Sequence, residues 1–97
     1  MITHLVLFKL KPGIAPDDPR FIAVQAAMAA LPDEIPLIRS WQHGRNLTPD
    51  GDAWDYGLVA TFDNEADLYA YFEHPAHLPV VAQWNEIATL AYADLAS

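Results

Sequence analysis

The segment Ile2–Leu10 is the strongest constraint on what this chain can fold into, because it reads as an extended strand that is apolar on both sides. Strand side chains alternate between two faces, so Ile2, Val6, Phe8 and Leu10 point one way while Leu5 and Leu7 point the other. An antiparallel sheet commonly turns one face to water. Here both faces need cover. The run is rich in β-formers and ends at the turn signal Lys11-Pro12-Gly13.

Downstream, Asp18 ahead of Pro19 is a helix start, and Phe21, Val24, Met28 and Leu31 recur at helical spacing through an alanine-rich segment that Pro32 should close. Ile38–Leu47 reads as a second strand, Thr48-Pro49-Asp50-Gly51-Asp52 as a polar turn, and Trp54–Phe62 as a third strand, together a hairpin. Asn64 caps a helix through Phe72, with Asp67 in its first turn. Pro75 then opens a shorter helical piece, and Ile87–Asp94 is the closing strand. No repeat, linker or low-complexity segment divides residues 1–97, so the chain reads as one domain. The order βαββαβ is that of a ferredoxin-like split βαβ unit, an α+β fold with helices on one face of an antiparallel sheet. Two helices cannot cover both faces of the first strand. The uncovered apolar face should therefore pack against a copy of itself in a homodimer, sheet to sheet. Trp41 and Trp54 on the hairpin strands are candidates for that contact, and core packing explains each as readily.

Composition removes several classes of function. Of the 97 residues 53% are hydrophobic and only 19% charged, which argues for a folded core rather than disorder. The absence of cysteine excludes a disulfide framework, a thiolate nucleophile and a thiolate metal site, so chemistry must come from His, Tyr and carboxylates. Thirteen acidic against five scattered basic residues, a net charge of −8, argue against a nucleic-acid partner. A strand begins almost at Met1, leaving no room for a signal segment, which makes a cytoplasmic location the expectation. The formal sequon Asn46-Leu47-Thr48 then carries no meaning. No apolar run approaches the roughly twenty residues of a membrane-spanning helix, so no membrane partner is expected either.

The one dense cluster of acid/base side chains is Tyr71-Phe72-Glu73-His74-Pro75-Ala76-His77. On an uninterrupted helix Tyr71 and His77 would project about 120° apart and could not easily serve one site. Pro75 pushes His74 out of the helical region and, as the first residue of a new helix, lets the chain restart in another direction, so the two side chains can converge. His77 would then stand in the opening turn, where the helix dipole disfavours a proton and leaves the neutral imidazole a base needs. The plainer alternative is that His74 caps the new helix while His77 and Tyr71 fill the edge of the core. His74 and His77 also have a spacing that metal ligands can use, with His4, His43 or a carboxylate to complete the set. Pro75 lies between them and no further ligand is identifiable, so no metal is expected; no motif supports a haem or flavin, and no cofactor is expected. The acidic pairs Asp17-Asp18 and Asp33-Glu34, with Asp50 and Asp52, are read as caps and turns. Glu73 and Asp94 could each orient a histidine, with surface exposure the simpler fate.

These residues carry a resemblance. His4-Leu5-Val6-Leu7-Phe8-Lys9, Gly44-Arg45-Asn46, Asp55-Tyr56-Gly57-Leu58-Val59 and the Tyr71-x2-His74-Pro75-x-His77 pattern resemble the stress-responsive dimeric α/β-barrel (Dabb) family nearly end to end. The resemblance implies a ferredoxin-like monomer that pairs through its sheets into a dimeric α+β barrel. For function it points to the best-understood plant member, a polyketide cyclase that works by intramolecular aldol condensation. It implies that His77 is a general base removing a proton next to a carbonyl and that Tyr71 donates a hydrogen bond to an oxygen. It further implies that His4 holds or polarises the ligand, a small apolar carbonyl compound, while Phe8, Phe21 and Met28 form apolar walls. Two other classes fit the same residues: a non-catalytic small-molecule binder, and a stress-related structural dimer with no ligand.

Overall fold

In the computed structural model, which describes residues 1–97, β1 (Ile2–Leu10) is the spine of one four-stranded sheet. It pairs antiparallel with β3 (Tyr56–Phe62) on one side and β4 (Ala88–Ala96) on the other, and β2 (Ser40–Arg45) pairs antiparallel with β3 to give the order β2-β3-β1-β4. The alternation read from the sequence is realised. Ile2, Val6 and Phe8 are buried beneath the helices with Tyr56, Leu58, Ala60 and Phe62, whereas Leu7 and Val59 are exposed on the opposite face.

The first helix, α1 (Pro19–Glu34), starts where the sequence indicates, with the Asp18 carboxylate accepting from the Arg20 N–H at 2.9 Å, and buries Phe21, Val24, Met28 and Leu31. Pro32 does not close it: the helix runs on to Glu34 with the proline inside. A proline offers no N–H to the carbonyl four residues back. That carbonyl, Met28 O, instead accepts from the Trp41 indole Nε1 at 3.0 Å, which compensates the lost bond from outside the helix. Trp41 therefore faces the helices, paired in register with buried Ala60, and is not on the open face as a dimer contact would require. Trp54 lies ahead of β3, half-buried in the connecting loop.

The hairpin strands are shorter than their β-forming residues suggest. At one end the Ile38 N–H turns back onto Ile35 O at 3.1 Å; at the other the Asn46 side chain binds Thr48, donating from Nδ2 to Thr48 O at 2.7 Å. Asp55 prolongs the sheet through both its groups. Its N–H donates to Phe8 O at 2.9 Å and its carboxylate accepts from the Leu10 N–H at 2.8 Å.

The second helical region is split, giving βαββααβ in full. Asn64 caps α2 (Glu65–Phe72) by accepting from the Asp67 N–H at 2.9 Å, and α3 (His77–Ile87) leads directly into β4. The piece after Pro75 is longer than expected, because Val80, Trp84 and Ile87 give it a full buried stripe at i, i+4 and i+7. Trp84 anchors the core: it stacks on Phe8 with ring centroids 4.0 Å apart and meets Phe21 edge-on at 5.9 Å. No helix is long and apolar enough to cross a membrane.

A candidate site at the junction of α2 and α3

The backbone at Pro75 builds the site. The helix α2 ends at Phe72 and the chain turns through His74, whose carbonyl accepts from the His77 N–H at 2.9 Å and the Leu78 N–H at 3.2 Å. His74 Nδ1 accepts from the Ala76 N–H at 3.0 Å, so this imidazole holds the turn that enters the new helix, whose N-cap is Ala76. Pro75 and Ala76 form the entering turn, with α3 proper beginning at His77 rather than at the proline. The change of direction brings Tyr71 and His77 together, their ring centroids 4.1 Å apart at 36°.

His77 is held in one tautomer. Its Nδ1 lies 3.1 Å from Phe72 O, and a carbonyl can only accept, so Nδ1 carries the hydrogen and Nε2 keeps its lone pair. Burial is the main influence pulling the His77 pKa below the ordinary histidine value, with His4 and His74 adding to it against the bond to Phe72. Burial thus favours the neutral ring for a reason separate from the helix dipole read from sequence. The Tyr71 hydroxyl has no partner within the chain and is not a sealed polar atom, a state in which only Trp84 Nε1 is found. Burial, then the Asp94 carboxylate, push its pKa far above the usual tyrosine range, so Tyr71 is a donor and not a phenolate.

The floor of the site is His4, 5% exposed, whose ring stands edge-on to Tyr71 at 5.8 Å and to Phe72 at 5.4 Å. The Asp94 carboxylate binds His4 Nδ1 at 2.5 Å. The two residues are register partners across β1 and β4, which puts both side chains on the helix face of the sheet. Asp94 is exposed, as the simpler expectation had it, and also orients a histidine; Glu73 is exposed at the C-cap of α2.

His4, Tyr71 and His77 line a cavity of about 200 Å³ whose remaining wall is apolar, including Phe8, Leu58, Phe72, Val80, Trp84 and Leu90. Phe8 lies where the sequence reading puts it. Phe21 and Met28 do not line this cavity: Phe21 packs against Tyr56 and beneath the Arg45 guanidinium, 4.4 Å from the ring centroid, and Met28 is buried on α1. Sequence reasoning missed the α3 wall, although Val80 and Trp84 were visible at helical spacing. It also missed the pairing of His4 with Asp94, for which only the strand register supplies the signal. A second, part-buried pair, His43 Nδ1 with the Tyr56 hydroxyl, lies outside the cavity. No group of three or more His, Asp or Glu side chains is arranged to hold a metal ion. A neutral imidazole with a free Nε2 beside a firmly protonated phenol is suited to taking a proton from a ligand while donating to its oxygen.

A family model described as the stress responsive A/B barrel domain matches residues 2–95. An uncharacterized protein of Streptomyces coelicolor is 42% identical over 94 residues, covering 97% of each chain. Among solved structures, a dimeric protein of unknown function with a ferredoxin-like fold from Bacteroides fragilis is 30% identical. It has a TM-score of 0.83 and covers 99% of this chain and 95% of its own. A hydroxynitrile lyase from Passiflora edulis shares the fold at 18% identity, with a TM-score of 0.82 over 97% of this chain and 90% of its own.

Proposed function

The chain belongs to the stress-responsive A/B barrel family, and from that premise we propose that it is a small-molecule protein acting on a carbonyl compound. In this reading His77 removes a proton next to the carbonyl and Tyr71 holds the oxygen, with His4, steadied by Asp94, against the ligand from the sheet. The observation that carries the reading is the bond from His77 Nδ1–H to Phe72 O, which leaves Nε2 as the free base in an apolar cavity beside an unpartnered hydroxyl. The fold is one on which an enzyme, the Passiflora lyase, is also built. A homodimer joined through the open sheet face and a cytoplasmic location belong to the same proposal.

A non-catalytic binder is the second reading, favoured by the cavity wall itself, in which ten of twelve lining residues are hydrophobic. The two separate on deuterium exchange at the methyl group of acetophenone in D₂O, followed by proton NMR. A catalyst exchanges these protons faster than buffer, and His77→Ala lowers the rate by about 10²–10⁴-fold. Tyr71→Phe lowers it by about 10²–10³-fold. A wild-type protein that binds the ketone without exchanging it is the binder.

A further inference from the structure

We infer that the cavity takes a neutral compound about the size of one aromatic ring with a short carbonyl substituent, and turns away carboxylates of the same shape. The inference rests on the reading above for the position of the site and deepens it by naming the ligand class. Size comes first. A cavity of about 150 Å³ is enough for benzene, so about 200 Å³ holds one ring and a few more atoms.

Charge comes second. None of the five basic residues lines the cavity. Arg20 is paired with Asp18, Arg39 with Asp63, Arg45 lies over Phe21, and Lys11 donates to Asn85 O at 2.7 Å. Lys9 belongs to the open face of the sheet, opposite in parity to Phe8. The acid that stands at the site is Asp94, which binds Nδ1 of His4. Burial resists a proton on His77. An anionic ligand would therefore lose its water with no cation to replace it. A ketone oxygen needs only the one donor that Tyr71 offers.

The test is titration calorimetry of the whole protein at pH 7.5 with acetophenone and benzoate, the second matching the first in shape while carrying a charge. The inference expects acetophenone to bind at least tenfold more tightly than benzoate. Filling the cavity at Val81, which also lines it, by Val81→Phe, or by Leu90→Phe if the first variant loses its circular dichroism, weakens acetophenone at least tenfold. Benzoate binding as tightly as acetophenone overturns it. So does acetophenone failing to bind, or a folded cavity-filling variant with unchanged affinity. Selective binding without deuterium exchange upholds the ligand class while removing the catalytic reading, and exchange with equally tight benzoate does the reverse.

Discussion

Two histidines of this chain carry their burial as a pH dependence. Burial is the leading cause that lowers the pKa of both His77 and His43. As pH falls below the ordinary histidine value of about 6.5 the unfolded chain takes up protons first. Each group's contribution is then present above that value and is lost as pH falls through the lowered folded value. Thermal unfolding between pH 7.5 and 5 should therefore show a falling Tm, less steep in His77→Gln; a Tm that rises on acidification would contradict the burial account. The same lowering keeps Nε2 of His77 unprotonated, so deuterium exchange should reach its plateau at a pH below 6.5 rather than above it. Asp94 makes a separate prediction. Asp94→Asn keeps an oxygen for His4 Nδ1–H and should change urea stability little, whereas Asp94→Leu leaves a buried donor unpaired and should cost about 1–3 kcal/mol. Tyr71 and His77 were legible as a pair because proline chemistry is local. Asp94 was not, since its partner is the residue opposite it across two strands that are far apart in sequence.

At the scale of elements, the departures from the sequence reading come from groups outside the element concerned. Pro32 was a sound reason to end α1, and the helix passes it because the Trp41 indole replaces the missing N–H at Met28 O. Trp41→Phe should accordingly cost about 1–3 kcal/mol in urea unfolding. In a Pro32→Ala background, where residue 32 can again donate to Met28 O, the same change should cost less, by about 1 kcal/mol. Equal costs in the two backgrounds would mean that the indole acts by packing alone. The turn at Pro75 follows the opposite logic. Its essential bonds, from Ala76 N–H to His74 Nδ1 and from His77 N–H to His74 O, join residues within three positions of one another, which is why the break was visible from sequence.

For the whole molecule the open sheet face is the feature that remains to be covered. Leu7, Val59 and Leu95 are 52%, 39% and 51% exposed, and strand parity places Leu5, Ala91 and Ala93 among them. Light scattering on the purified protein should give a dimer, and Leu7→Arg, which puts a charge at the centre of this patch, should shift it towards monomer with the monomer fold retained. A wild-type monomer at all concentrations would remove the sheet-to-sheet proposal. Trp41 faces the helices, as its core-packing alternative had it, and Trp54 lies in the loop ahead of β3, because a tryptophan satisfies the same pattern from the core or from a loop. Legible from the residues alone were the strand and helix order, the two apolar faces of β1, the caps at Asp18 and Asn64 and the break at Pro75, since each of these is set by side-chain alternation or by bonds between near neighbours. Tertiary structure alone decided that His4 meets Asp94, that Trp41 repairs α1, and that α3 rather than α1 walls the cavity. These are contacts between residues brought together by register and by the packing of helices on the sheet, and no local pattern specifies which distant side chain will arrive.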